Sequence, residues 1–557
     1  MCEDVAKRLL RRFEEQLDAH HKTFEIWKNP TDAMLYALMA SYDSMLLPYS
    51  LSAGKLSPGV TLAFKTLDDS LSYCLRWLFE KRPIDLATTS DDNVIEAAGE
   101  LLTFGTSYAD IADMHMMYGR GVCDAVVDQS EKRITFKTRE SDNRREIDGY
   151  LQTYAFQSKV GEQNKERTLR LARECISALA EIDIDYEGGR IAIKDISQLK
   201  SAKIQRMVEE EPRPEILPIE EAADFAGFSF GDYKRFWIAL SNWGNSLLLL
   251  YLRSVAAGME QRTCMPTQLI CENDFISQVR ELSDLSEDTI ARILDRLTYD
   301  WENDKAEILL QPFIHLNNKI LWSPLIIRKS RYQRNILKLM ARTPELKEVA
   351  DNLIGARERK FLNLIGARLS HRYGYQFKLN TDVSNQINKQ GEIDLLAYQP
   401  KAPTEVLIVE AKTILAVDET NEIADATKKL IDAQQQIRQA MAILRSLNIT
   451  RKKELFKFVN WDKVSEYYPL VVTPDSNPNT LYDDNIVPHI SYASLLTFGT
   501  RRAFVRPSRI WVWSREKKWV REETPTKQEC KYKDIKVGEV TYSLPYVTIN
   551  EQVESPN

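Results

Sequence analysis

Along the first 200 positions, apolar residues recur at helical spacing. Val5, Leu9, Leu10, Phe13 and Leu17 form one stripe, and the stretches 32–49, 61–79 and 93–102 predict further helices. Period-two alternation interrupts them twice, in a strand-like run at 133–137 and in a hairpin at 182–193 that turns on Gly188 and Gly189. A charge run with closely spaced prolines at 209–218 reads as a linker. Beyond it, helical spacing returns. Residues 273–282 and 287–297 form two predicted helices about the turn 283–286, with Ser286 as N-cap. Strands at 308–314 and 319–327, meeting at Asn317 and Asn318, complete a unit that resembles a winged helix.

The pattern changes again after residue 356. A helix at 357–372 carries Leu362, Ile365 and Leu369 on one stripe, and a strand follows at 375–379. Then comes 391–413, GEIDLLAYQPKAPTEVLIVEAKT, two short strands joined by a proline-bearing turn. In the second of these, Leu407, Ile408 and Val409 form the continuous apolar run of a strand buried on both faces, and Glu410 and Lys412 follow it directly. A long helix at about 421–447 and a short strand at 470–473 close the region.

Strand side chains repeat every second residue, so Glu410 and Lys412 share a face, and Asp394 joins them if the two strands pair. Two carboxylates so placed suit Mg²⁺ or Mn²⁺, with a phosphate and waters completing the shell, and Lys412 can orient the attacking water or neutralise developing charge. An exposed charged hairpin would show the same tripeptide, but it would not grow out of a core strand. This arrangement resembles the PD-(D/E)xK, or restriction-endonuclease-like, nuclease superfamily, most closely its Holliday-junction-resolvase-like members, over roughly residues 356–498. The usual proline before the aspartate is replaced by Ile393. The resemblance implies Asp394, Glu410 and Lys412 as catalytic triad, with Glu358 as a further metal ligand. It also implies a glutamine of the following helix near the metal shell, for which Gln436, among Gln434, Gln435, Gln436 and Gln439, is the candidate.

Composition narrows the setting. The chain of 557 residues exceeds one core and predicts several domains. These are a helical region with hairpins at 1–208, the linker 209–219, a helical domain with the winged-helix-like unit at 220–345, the nuclease domain at 346–500 and an extension at 501–557. The expected fold class is therefore mainly α-helical N-terminal and middle regions plus a C-terminal α/β domain with a central mixed sheet. A net charge of −6 excludes a generally basic nucleic-acid coat, so contacts with nucleic acid must be local. One such stretch is 501–521, where Arg501, Arg502, Arg506, Arg509, Lys517 and Lys518 alternate with Phe504, Trp511, Trp513 and Trp519, a mixture suited to stacking and phosphate contact. The alternating 510–514 reads equally as a terminal hairpin. A second basic stretch is 328–347, read either as phosphate-tracking or as a solvated linking helix.

In the winged-helix-like unit, Arg292 and Arg296 are matched by Glu287, Asp288 and Asp295, which favours a structural or protein-contact role over groove reading. No apolar run is long enough for a membrane, and no signal-peptide layout opens the chain, so a cytoplasmic protein is expected. Cys2, Cys74, Cys123, Cys175, Cys264, Cys271 and Cys530 include no CxxC pair and read as packing thiols. His20, His21 and His115 read as structural. The function expected is metal-dependent phosphodiester hydrolysis, with DNA the favoured substrate, in a regulated nuclease suited to antiviral defence. The rival is a nucleic-acid-binding or oligomeric scaffold, assembled with a second copy or a protein partner through the N-terminal helices.

Overall fold

In the computed structural model the described residues are 3–29, 31–50, 58–80, 92–119, 123–138, 174, 179–187, 189–200, 217, 219–260, 264–303, 306–384, 391–414, 420–474, 487–498, 505–516 and 526–551. They are mostly helical, with several sheets. The chain divides into two compact units. One holds residues 1–138, 161–347 and 531–546, and the other 139–160, 348–530 and 547–557.

The first unit opens with helices α1 (Glu3–His20), α2 (Thr31–Ser50), α3 (Pro58–Glu80) and α4 (Asp92–Gly119). Their apolar stripes meet at Leu38, Leu71, Leu75, Ala98 and Leu101, all fully buried. The last helix runs well past the predicted 93–102. Strands β1 (Cys123–Asp128) and β2 (Arg133–Thr138) form a hairpin, as do β3 (Ile184–Glu187) and β4 (Arg190–Ile193).

Helix α5 (Phe230–Ala256) begins at a capping box in which Ser229 and Asp232 satisfy each other's backbone. Then follow β5 (Gln268–Cys271), α6 (Glu272–Ser283), α7 (Glu287–Leu297), β6 (Ile314–Leu316) and β7 (Lys319–Trp322), the three strands ordered β5-β7-β6. Ser286 caps α7 as expected, accepting from Thr289 N. Both strands here are shorter than the sequence pattern predicts. Residues 307–311 close a turn through Gln311 N to Glu307 O, and Ser323 with Pro324 caps and starts helix α8 (Pro324–Lys329) where a strand was expected. Helix α9 (Tyr332–Arg342) completes this part.

In the second unit, α10 (Lys347–Tyr373) leads into β8 (Gln376–Asp382), β9 (Glu392–Tyr398) and β10 (Glu405–Ala411). Helices α11 (Thr420–Ser446) and α12 (Ile449–Leu455) follow, then β11 (Glu466–Thr473), β12 (His489–Ser491), α13 (Tyr492–Thr497) and α14 (Pro507–Glu516). The five strands form one mixed sheet, β12-β11-β10-β9-β8, antiparallel across β8-β9-β10 and parallel across β10-β11-β12. Strand β10 is central, and all seven of its residues are buried.

Helix α11 covers one face of the sheet, where Leu430, Ala433, Ile437 and Leu444 meet Leu396, Val406, Ile408 and Val471 in a single apolar cluster. On the opposite face Glu405 accepts from the Ser508 N–H at 2.9 Å and so anchors the first turn of α14. Residues 510–514 are thus helical, not the strand their alternation allowed. Ile510 and Ser514, four apart, are the buried pair, and Pro507 starts the turn.

Strands β13 (Thr526–Val537) and β14 (Val540–Glu551) form a final hairpin, and β14 pairs in parallel with β2 through Tyr542 and Ile134.

Candidate active site

Strand β10 passes through the middle of a sheet covered on both sides, so polar side chains are expensive along it until its C-terminal end. Glu410 stands at that end, 5 % exposed. Its alternation with Val406 and Ile408 turns it to the face covered by α11, and Lys412 turns the same way. The β9-β10 pairing sets Leu395 opposite Val409. One step further the same register sets Asp394 opposite Glu410. The Asp394 carboxylate is fixed there by its Oδ2, which accepts from the Ala411 N–H at 2.9 Å. Lys412 Nζ donates to Glu410 Oε1 at 2.9 Å.

Charge is unevenly matched in this cluster. Burial raises the Asp394 carboxyl above its ordinary range, against the Ala411 hydrogen bond and Lys412, while Glu358 and Glu392 add to the rise. Burial, then repulsion from Asp394, pushes Glu410 up to about 7 despite Lys412. For Lys412 burial works against the charged form, but Glu410, Asp394 and Glu358 outweigh it and hold the ammonium above its usual range. Glu358, half-buried on α10, therefore acts on all three groups. Among the described residues no group of three or more His, Cys, Asp or Glu side chains is placed to hold a metal ion. Asp394 and Glu410 supply a pair of carboxylates, and further ligands would come from substrate and water. That donor set is the kind Mg²⁺ and Mn²⁺ take, and with Glu358 it sets three carboxylates against one ammonium.

The glutamines of α11 separate. Gln434, between Leu430 and Ile437 on the apolar stripe, is 3 % exposed, and its Nε2 donates to Val487 O at 2.9 Å. Gln436 is exposed.

Of the basic residues assigned to the C-terminal stretch, Arg501, Arg502, Lys517 and Lys518 lie outside the described residues. Arg506 is 61 % exposed and 3.8 Å from Glu405, and Arg509 is exposed. Of the rings there, Phe504 and Trp519 lie outside the described residues, whereas Trp513 packs on Phe498 with centroids 4.6 Å apart and Arg515 lies 4.7 Å from the centre of Trp511.

The stretch 328–347 is tied down inside the first unit. Lys329 pairs with Asp68 at 2.5 Å, Arg342 pairs with Glu307, and Lys338 is 6 % exposed. These contacts support neither a phosphate-tracking surface nor a solvated helix for those three side chains.

The histidines assigned to structure are packed. His21 stacks on Trp77 at 4.7 Å, and His115 meets Phe136 edge-on. Cys74, Cys123 and Cys264 are buried thiols. The linker 209–216 and the turn residue Gly188 lie outside the described residues, as do Cys2 and Cys175. Among the described residues no helix is long and apolar enough to cross a membrane.

Two features had no place in the sequence reading. One is the Ala411 N–H that holds Asp394, a backbone group invisible to side-chain patterns. The other is the basic run around Arg451, whose signal, RKKELFKF, is present in the sequence. No protein-family model matches the chain, and it matches neither a curated protein nor a solved structure.

Proposed function

We propose that the chain is a metal-dependent nuclease of the PD-(D/E)xK type, that its second unit has the restriction-endonuclease-like fold, and that its substrate is DNA. One observation carries the reading. Asp394, Glu410 and Lys412 meet on one face at the end of a strand otherwise buried on both sides, with Glu358 acting on all of them. Carboxylates raised first by burial and then by neighbouring negative charge are unfavourable for folding alone. A cation brought by substrate would relieve them, which is the pattern of a site kept for chemistry.

A divalent cation held by Asp394 and Glu410 would supply Lewis-acid polarisation of the scissile phosphoryl group and a lowered pKa for its bound water. The remaining work falls to the protein. Because Ala411 N–H occupies Asp394 Oδ2, Oδ1 is the oxygen left to bind. Glu410 offers Oε2, since Oε1 is engaged by Lys412. As substrate binds, the Lys412 ammonium can exchange Glu410 for the phosphoryl oxygens or the attacking water, donating a hydrogen bond where negative charge develops. Glu358 keeps the local potential negative and so favours cation uptake.

The test is cleavage of linear, circular and branched DNA, and of RNA, with Mg²⁺ or Mn²⁺. Metal-dependent cleavage should vanish in Glu410→Ala and Lys412→Ala while both variants stay folded. Cleavage that survives both substitutions, or proceeds in chelator, would end the reading. The circular substrate reports whether ends are required.

A further inference from the structure

The second unit carries a concentrated positive surface that is separate from the catalytic cluster. Residues 445–463 hold six basic side chains, Arg445, Arg451, Lys452, Lys453, Lys457 and Lys463, against the two acids Glu454 and Asp462, in a chain whose net charge is −6. The surplus is local and belongs mostly to α12 and the turns on either side of it.

Three cations of this surface are held in place by aromatic rings. Lys378 of β8 lies 5.7 Å from the centre of Phe456 and donates to Leu455 O at 2.8 Å. Arg445 lies 5.1 Å from the centre of Tyr467. Lys452 lies 5.9 Å from Trp461 and donates to Arg445 O at 3.1 Å. The rings themselves interlock, Phe456 with Trp461 at 6.0 Å and Trp461 with Tyr467 at 6.5 Å, and they root in the core beneath α11. Cations fixed in this way lose little side-chain entropy on meeting a ligand.

The outer cations are exchangeable. Arg451 pairs with Glu454 at 3.0 Å and Lys453 with Asp462 at 2.8 Å, but every partner is about half exposed. Such surface pairs contribute little and yield readily to a denser anion. Lys457 and Lys463 are exposed.

Position supplies the remaining argument. Lys378 sits opposite Leu396, two residues from Asp394 along β9, and Asp382, held below the ordinary carboxylate range chiefly by its hydrogen bonds with Ser384, also feels the Arg451 charge. Asp382 pairs with Glu392, which in turn acts on Asp394. Strand spacing and rise place Lys378 about 8 Å from Asp394 and about 12 Å from Glu410 at the backbone level. Duplex DNA bears one charge per roughly 1.7 Å of axis, dense enough to meet cations over such a span on both sides of the cut.

We propose that the surface formed by α12, its flanking turns and Lys378 is the docking face for duplex DNA, gripping backbone phosphates beside the scissile bond. Placing the cut beside this grip rests on the nuclease reading; the binding itself does not. A merely solvated face would carry neither the local surplus of cations nor their anchoring on a buried aromatic cluster.

The test uses the full chain in chelator, so that binding is read without cleavage, by the anisotropy of a labelled duplex of about 30 base pairs over a range of salt. The triple variant Arg451→Ala, Lys453→Ala, Lys457→Ala removes exposed cations only. It should weaken binding about tenfold or more and shallow the dependence of log K on log salt by about 2–3, near 0.9 per lost phosphate contact. The charge-preserving set Arg451→Lys, Lys453→Arg, Lys457→Arg should bind as wild type. Equal affinity and slope in the alanine variant, or no duplex binding by wild type, would overturn the proposal. Equal loss in the charge-preserving set would also overturn it, as would a loss confined to single-stranded DNA or double-stranded RNA of the same sequence. Asp394→Asn separates this result from the nuclease reading. Lost cleavage with retained binding upholds both, whereas salt-sensitive binding in a chain that never cleaves upholds the docking face alone.

Discussion

Glu410 is the side chain on which folding and the proposed chemistry make opposing demands. Its carboxyl keeps a proton up to about 7 in the folded chain, against an ordinary 4.5. Between these values the folded chain binds more protons than the unfolded one, so stability falls as pH rises through that window, by on the order of 3 kcal/mol at most. Asp43 on α2 behaves the same way. It is fully buried, accepts from Thr267 Oγ1 at 2.6 Å and from Ser323 Oγ, and burial raises it to about 7. The two contributions can be told apart by amide hydrogen exchange, read at β10 and at α2. Both elements should lose protection from pH 5 to pH 8 in chelator. Mg²⁺ should restore β10 alone, Glu410→Gln should flatten only the β10 response, and Asp43→Asn only that of α2. A β10 response indifferent to Mg²⁺ would remove the metal from the site. In the presence of metal, binding must displace the Glu410 proton below about 7, so apparent Mg²⁺ affinity should fall as pH drops from 7 to 5, measurable by calorimetric titration. The three residues of this cluster were legible because they are local, at period two, beside an apolar run. The four glutamines within six positions of α11 are alike in sequence and differ only in helix phase, with Gln436 exposed. Gln434 is the buried one, completing the apolar stripe from Leu430 to Ile437 and bonding to Val487 O.

At the scale of elements, the sheet and its helices were readable where one face is apolar and failed where two periods compete. Residues 510–514 satisfy alternation, but Pro507 and the Glu405 carboxylate at the first turn favour the helix, whose buried face then runs through Ile510 and Ser514. The close approach of α10 to the sheet was equally hidden. Gly366 has no side chain because a Cβ there would meet the Phe377 ring of β8 at 2.4 Å. Gly366→Ala should therefore push α10 from β8 and cost about 1–3 kcal/mol. Gly99, inside α4, has nothing within 4 Å of the same position. There Gly99→Ala should stabilise by roughly 0.5–1 kcal/mol, since it removes only the backbone freedom of the unfolded chain. Urea unfolding of the two variants, followed beside wild type, should move in opposite directions. If both move alike, the α10-β8 packing described here is wrong.

At the scale of the whole molecule, the least legible feature is a pairing of strands about four hundred positions apart. No local pattern announces that β14 will lie beside β2, because each alternates as any half-buried strand does and the choice between partners is made by the rest of the fold. The pairing changes what the C-terminal residues are. Tyr542 is fully buried, and its hydroxyl donates to Phe13 O on α1 at 2.9 Å, while Val540 and Leu544 are nearly as well enclosed. Lys132 and Arg133 of the β1-β2 hairpin reach Glu539 and Asp534 of the other, surface pairs that fix register more than they add stability. The hairpin thus completes the core of the first unit, although a chain read in order would assign it to the region after the sheet. Two consequences separate this from a loosely attached tail. Tyr542→Phe leaves the ring in place and strips one buried hydrogen bond, so it should cost about 0.5–1.5 kcal/mol. A chain ending at residue 516 loses the whole sheet edge and should expose α1 and β2 to rapid hydrogen exchange, while β9 and β10 of the second unit keep wild-type protection. Unchanged exchange at α1 and β2 in the truncated chain would show that the hairpin rests on the first unit without supporting it. Loss of protection in β10 as well would show that the two units unfold together, and the assignment of separate pH responses to Glu410 and Asp43 would then have to rest on the single substitutions alone.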